Sequence, residues 1–468
     1  MKAPRFGGMA RRMNEADTQH RPIAAIILAA GKGTRMKSSR HKVLHDVGGR
    51  PMIEHLLASV EALAPASLVT IVGEAREQLH DQLGKRTQFA VQEPQLGTGH
   101  AVQQAKDALN GFSGDVLVLY GDVPFVSTST MRAMVDRLNA ADSPAAVVLG
   151  FEPANPLRYG RVIASGDHIE KMVEWKDASE VERGCTTCNS GLLAARAEDL
   201  FALLDRVSND NAQDEYYLPD IVNIAIADGR NCAIVSTDTP DEVIGINSRA
   251  ELAAAELQWQ NLKRADAMEA GVTLRAPECV YFSYDTQIAS DVVVEPHVVF
   301  GPGVTVETGA HIKAFSHLEG AHVGEDVEVG PYARLRPGAV LEKGSKVGNF
   351  VEIKKATIGE GAKASHLSYI GDATVGADAN IGAGTITCNY DGYFKHKTEI
   401  GPRAFIGSNS ALVAPVKIGA DAIVAAGSTV SRDVGDGELR MVRAEQLVKP
   451  GWADRFHDTM KKKKAERK

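Results

Sequence analysis

Cysteine is scarce in this sequence, with five residues among 468, an odd number scattered along the chain. That density excludes a disulfide framework and fits a reduced, cytoplasmic protein. Long apolar runs are missing too: no stretch approaches the ~20 residues that cross a bilayer, so no membrane insertion is expected. Positive charge is in deficit, with a formal net charge of −8, which argues against a dedicated nucleic-acid binder. It leaves anionic substrates open, because a local cluster of Lys and Arg reverses the field inside one cleft. Arg11-Arg12 ahead of the apolar run Ile23–Ala30 superficially resembles an export signal. That run leads straight into a Gly-rich turn and reads better as a first strand, with residues 1–21 a disordered basic extension.

What the sequence does have is a repeat. From Ile288 to Val430 an apolar residue returns every six positions, as in Ile288, Val294, Phe300, Val306, Ile312 and Leu318. The series resumes after a five-residue step at Val323 and runs on through Val347, Ile381, Ile406 and Val424. A period of six fits neither a 3.6-residue helix nor an alternating strand. It suits a parallel β-helix in which every sixth residue points inward and glycines such as Gly301, Gly324, Gly348 and Gly407 take the corners. Three hexads make one triangular coil, so the span holds roughly eight coils stacked ~4.8 Å apart. The repeat breaks once, between Thr387 and Glu399, where an aromatic- and Lys-rich insertion leaves the prism. Such prisms commonly assemble as trimers, so a homotrimer is expected from the architecture alone.

Upstream of the repeat, apolar runs alternate with amphipathic stretches. Ile23–Leu28, Leu68–Val72, Val116–Tyr120 and Ala145–Leu149 read as buried strands; Met52–Leu63, Gly99–Leu109 and Thr130–Leu138 read as helices between them. The expected fold class is an α/β N-terminal domain, Rossmann-like with a mainly parallel sheet, followed by a left-handed parallel β-helix. The domains are then 22–247, a linker helix at 248–270 with Ser248 as its N-cap, the β-helix at 271–452, and a basic tail at 453–468. The four lysines Lys461–Lys464 read as a solvated, disordered run.

Directly after the first strand stands LAAGKGTRM, Leu28 to Met36. Glycines there admit backbone N–H groups close to phosphate oxygens, and Lys32 and Arg35 supply charge. Met36 in the third glycine position rules out the dinucleotide fingerprint, and the missing GK[ST] ending rules out a P-loop. Taken singly, these residues have plain structural readings as turns, caps and solvated surface. Their order changes that: LxxGxGTRM, then Lys42 in HKVLH, Gln92 and Gly97-Thr98-Gly99 in VQEPQLGTGHA, Tyr120-Gly121-Asp122 at a strand end, Gly160, Glu174, Asn189 and Asn247. This succession resembles the sugar-1-phosphate nucleotidylyltransferases.

Farther on, Arg336, Lys354, His366, Tyr369, Asn380 and Asn389-Tyr390 fall within two to three coils, and NIGAGTITCNYDG is the most specific piece. With these the chain, from Ile23 to Trp452, resembles the bacterial bifunctional N-acetylglucosamine-1-phosphate uridylyltransferase/glucosamine-1-phosphate acetyltransferase family. The resemblance implies a UTP and UDP-sugar site of Leu28, Ala29, Ala30, Gly31, Lys42, Gln92, Gly97, Thr98, Tyr120, Gly121, Asp122, Gly160, Glu174, Asn189 and Asn247. Arg35 and Lys42 would act on the phosphates, and Asp122 and Asn247 would hold Mg2+, for which hard oxygen ligands are suited. In the second site it implies His366 as the base, suited by an imidazole's ordinary pKa of ~6.5. Arg336, Lys354, Tyr369 and Asn380 would hold glucosamine 1-phosphate, and Ala383, Asn389, Tyr390, Ser408, Ala426 and Arg443 acetyl-CoA. By resemblance the product feeds peptidoglycan and lipopolysaccharide. Trp175 beside Glu174, and Thr187-Cys188 before Asn189, depart from the pattern around the sugar pocket. Two other readings stand against this one: a single-activity nucleotidylyltransferase whose β-helix is only a platform, and a non-enzymatic scaffold subunit.

Overall fold

The computed structural model describes residues 21–156 and 158–467, so the extension expected over residues 1–20 lies outside the described residues. Arg21, expected as its last member, belongs instead to the fold, because its guanidinium pairs with Asp115 at 3.2 Å and with Glu198. The chain divides into two compact units, the first ending at Glu256 and the second beginning at Leu257. The division falls inside one helix, Arg249–Glu269, rather than at its ends. Ser248 caps that helix as expected, its hydroxyl accepting from the Glu251 N–H.

The first unit is built on a 9-stranded sheet. Its strands are β1 Ile23–Ala29, β2 Ser67–Val72, β3 Gln88–Val91, β4 Asp115–Tyr120, β5 Ala146–Phe151, β6 Arg161–Ser165, β7 His168–Val173, β8 Cys188–Arg196 and β9 Ala233–Ser236. They lie in the order β3-β2-β1-β4-β8-β5-β9-β7-β6. The strands on either side of β1 are parallel, as are β5 and β9, but β8 runs antiparallel between β4 and β5, and β6–β7 is an antiparallel pair at the far edge. The near-continuous apolar sequence of β1 is what a strand covered on both faces requires, and Ala24 to Ile27 are fully buried. Helices Met52–Glu61 and Thr128–Leu138 pack their apolar stripes against one face. The helix expected over Gly99–Leu109 is regular only over Thr98–Gln103; beyond it the N–H groups of Ala105 and Lys106 reach back three residues, tightening the chain into turns. This arrangement opens the carboxyl ends of β1 and β4 side by side.

In the second unit the six-residue period becomes geometry. A 10-stranded parallel ladder forms one face, and a 14-stranded sheet, joined across a corner by Glu352–Ile358 and Tyr369–Val375, supplies the other two. Neighbouring coils are in register at intervals such as Val294–Ile312–Val329–Val347, and the repeating apolar residues form one continuous core. Ala364, absent from the expected series, fills the gap between Ile358 and Ile370.

The glycines need a correction. Most of those that follow the inward residues are not left-handed; they are places where the next coil comes too close for a side chain. A Cβ on Gly348 would stand 2.0 Å from the Ser365 carbonyl oxygen, and one on Gly407 would stand 2.4 Å from the Ala426 nitrogen. The left-handed corners are shared between other glycines, such as Gly303, Gly309 and Gly338, and non-glycine residues such as Asp291, Asp326, Phe315 and Tyr332. Lys461–Lys464 also differ from expectation, since they lie in an exposed helix, Trp452–Glu466. Among the described residues no helix is long and apolar enough to cross a membrane.

Candidate functional site

The carboxyl ends of β1 and β4 border a cavity of about 360 Å³ lined by Leu28, Ala29, Ala30, Gly31, Lys42, Gln92, Gly97, Thr98, Tyr120 and Asp122. His41, Gln95 and Glu215 also line it and were not among the expected residues. The chain brings Lys42 in by folding its Gly-rich turn around it: Gly33 is left-handed, and a Cβ there would stand 2.7 Å from the Lys42 Cβ. Lys42 then donates from Nζ to Asp122 Oδ2 at 2.5 Å and to Asn247 Oδ1 at 3.0 Å. Asn247 is held by its own backbone N–H, which donates to Glu251 Oε2 at 2.6 Å. Two oxygens far apart in sequence thus converge on one cationic nitrogen. The two oxygens take a cationic group here, and hard oxygen donors of this kind are the chemistry that suits a small divalent ion.

Beyond Tyr120 lies a second group. The Asn189 N–H donates to the Gly160 carbonyl at 2.9 Å, and Gly160 faces the Glu174 carboxylate so closely that a Cβ would stand 3.1 Å from it. Burial pushes the Glu174 carboxyl up from its ordinary range, and Asp220 and Asp177 add to the shift. Burial likewise raises the Tyr120 phenol, against a hydrogen bond to Thr98. Trp175, beside Glu174, has the guanidinium groups of Arg161 and Arg183 each 4.8 Å from its ring. Arg35, expected to act on phosphate, sits on an exposed turn outside the cavity lining.

In the second unit the register collects residues dispersed in sequence. Asn349 pairs with His366 across adjacent coils, and the same column continues through Ala383, Ser408 and Ala426, one residue per coil. His366 Nδ1 lies 2.5 Å from Asn349 Oδ1. An amide oxygen only accepts, so with Asn349 Oδ1 as the partner the neutral His366 ring has its proton on Nδ1 and presents the Nε2 lone pair. Asn349 was missed in the sequence because it stands on the preceding coil, 17 residues upstream. At the far end of the column Arg443 donates to the Ala426 carbonyl at 3.2 Å.

Around the corner from His366, Arg336, Lys354 and Gly371 lie in register on successive coils. Arg336 is paired with Glu352 at 2.8 Å, which raises its pKa, whereas Lys354 has no side-chain partner among the described residues. At Gly371 a Cβ would stand 2.4 Å from the Tyr369 hydroxyl, so a larger residue would displace that side chain. The Asn389 amide donates to Asp372 at 2.5 Å and to the Tyr369 hydroxyl, so its side chain is spent inside the site. Tyr390 is exposed on the insertion, with the Lys395 ammonium 4.0 Å from its ring. Asn380 lies on the adjoining face, in register with Lys363 and Phe405.

The fold and the two constellations define a nucleotidyltransferase joined to a hexapeptide-repeat transferase. Two family models agree: the MobA-like NTP transferase domain matches residues 25–184, and the bacterial transferase hexapeptide (six repeats) matches residues 397–432. The chain is 70% identical to the bifunctional protein GlmU of Sphingopyxis alaskensis, over 95% of this chain and 98% of that one. It is 70% identical to that of Novosphingobium aromaticivorans over 96% and 99%, and 56% identical to that of Zymomonas mobilis over 95% and 100%. The chain belongs to the GlmU family of bifunctional proteins.

Proposed function

We propose that the chain carries out two consecutive transfers: acetylation of glucosamine 1-phosphate from acetyl-CoA in the second unit, then uridylyl transfer from UTP to N-acetylglucosamine 1-phosphate in the first. The observation that carries this is the gathering of the chemistry-bearing residues into two separate constellations, one per unit. A scaffold needs neither, and a single-activity enzyme does not need the Asn349–His366 pair.

In the first transfer His366 Nε2 takes a proton from the sugar ammonium, the freed amine attacks the thioester carbonyl, an amide C–N bond forms, and the C–S bond breaks, the second amine proton leaving with the sulfur as the CoA thiol. Arg336 and Lys354 supply positive charge for the sugar phosphate, and Tyr369 is held by Asn389 against the sugar. The column Ala383–Ser408–Ala426 presents small side chains along which the acyl carrier lies, with Arg443 at its end.

In the second transfer the sugar phosphate oxygen attacks the α-phosphorus of UTP and pyrophosphate leaves, a reaction governed by positioning and charge. Gln92, Gly97 and Thr98 surround the base and ribose, and Glu174 and Asn189 the amino sugar. Asp122 and Asn247 would hold Mg2+, which supplies charge neutralisation on the phosphates. Lys42 leaves the two oxygens and turns its ammonium to the triphosphate. A homotrimer, in which Tyr390 of the insertion reaches a neighbouring prism, and a reducing cytoplasmic setting complete the reading.

The test is to assay wild type, Asp122→Ala and His366→Ala for CoA release with glucosamine 1-phosphate, and for pyrophosphate release with UTP and N-acetylglucosamine 1-phosphate. Each variant is expected to lose one activity and keep the other. A wild type that makes nucleotide sugar but releases no CoA would reduce the β-helix to a platform.

A further inference from the structure

The base-reading side chain of the nucleotide cavity is fixed by a residue outside the expected set. Gln92 follows β3, with its N–H bonded to the Val72 carbonyl at 2.8 Å, and it is 5% exposed at the cavity wall. Its Nε2 lies 2.8 Å from the Gly97 carbonyl and 3.2 Å from His100 Nδ1. A carbonyl oxygen only accepts, so the Gly97 contact sets which end of the amide is nitrogen. The second amide hydrogen then goes to His100 Nδ1, which must be the unprotonated nitrogen of a neutral ring. Burial supports that state by lowering the His100 pKa.

His100 itself is held in place by the segment beside it. The Gly99 N–H donates to the Tyr216 carbonyl at 2.8 Å, the Tyr216 N–H to the Leu96 carbonyl at 2.9 Å, and the Leu218 N–H to Thr98 Oγ1 at 3.0 Å. Both hydrogens of the Gln92 amide are therefore committed. Its Oε1 alone has no partner among the described residues, and a fixed acceptor at a cavity wall asks the ligand for a donor.

We propose that His100 is a positioning residue that locks the polarity of the Gln92 amide, making the site select a nucleotide whose base carries a ring N–H. Uracil and thymine offer N3–H at the edge where cytosine offers a lone pair. Cytosine would place two acceptors against each other, and the amide cannot turn to relieve them without breaking both of its anchors. This deepens the uridylyl reading and rests on it.

The experiment compares full-length wild type, His100→Leu and His100→Asn by pyrophosphate release with N-acetylglucosamine 1-phosphate and either UTP or CTP. Wild type is expected to favour UTP by about 10⁴-fold in kcat/KM, the scale at which a hydrogen-bonding site rejects a mismatched partner. His100→Leu should narrow the UTP-to-CTP ratio about tenfold, through KM for the nucleotide. His100→Asn, whose Oδ1 replaces the acceptor, should hold the wild-type ratio. If His100→Leu does not fold, His100→Ala takes its place. A loss variant that slows both nucleotides equally, leaving the ratio intact, gives His100 a packing role only and overturns the proposal. A wild type inactive with both nucleotides is a different failure, because it removes the uridylyl reading and the present one with it.

Discussion

At the scale of single residues, each site contains a polar group whose neighbour decides its chemistry. Asn349 fixes the His366 tautomer at 2.5 Å, so Asn349→Ala should lower kcat for acetyl transfer about tenfold while leaving KM and uridylyl transfer near wild type. Asn349→Asp, which keeps an acceptor, should recover part of the loss; equal KM and kcat effects would instead mean a general collapse of the site. Glu174 carries the opposite kind of tension. Its folded pKa is raised, chiefly by burial, so the ionised form weighs against the fold once pH rises above the ordinary carboxylate range. Glu174→Gln should therefore raise the thermal midpoint of the first unit at neutral pH. That gain should vanish in acid, where the native carboxyl is protonated in both folded and unfolded chains. The same change should weaken N-acetylglucosamine 1-phosphate binding, and a midpoint unchanged at neutral pH would refute the argument. Lys42, Asp122 and Asn247 were legible in the sequence as members of a motif. That they meet was not, because a motif carries order and not distance.

At the scale of the element, the coil is the unit that the sequence writes most plainly. Inward positions share one core, so nearly all are apolar, and the one polar exception at Thr387 has its hydroxyl bonded to the Gly371 backbone. The glycines show where such reading stops: their presence was visible, but their cause, a neighbouring coil within 2.0 to 2.8 Å of a missing Cβ at Gly348, Gly407 and Gly324, is a property of stacking. Gly348→Ala should cost about 1–3 kcal/mol by overpacking, read as a lower midpoint for the second unit's unfolding transition, with the first unit's transition unmoved. Asn349 is adjacent, so acetyl transfer should fall in the same variant. The reversal of β8 between the parallel strands β4 and β5 was not legible either, because a strand buried on both faces has the same composition in either direction. The C-terminal helix Trp452–Glu466 was missed for another reason: its lysines are good helix formers, and a charge run alone does not separate a solvated helix from a coil.

At the scale of the whole molecule, two units with separate cores carry separate sites. Asp122→Ala and His366→Ala should therefore complement each other in a mixture. Supplied with glucosamine 1-phosphate, acetyl-CoA and UTP, neither variant alone should accumulate nucleotide sugar, whereas the mixture should, after a lag set by the intermediate's build-up in solution. No product from the mixture would mean that the intermediate must be handed over without leaving the protein. The column Asn349–His366–Ala383–Ser408–Ala426 has a consequence of its own. Coils stack at ~4.8 Å, so the base and the last small residue of the column are three steps, ~14 Å, apart. A prism of this kind is a graduated rule. If the acyl carrier lies along this column, as proposed, its contacts with the backbone come at whole divisions, and a coil inserted or deleted would move them by one such step.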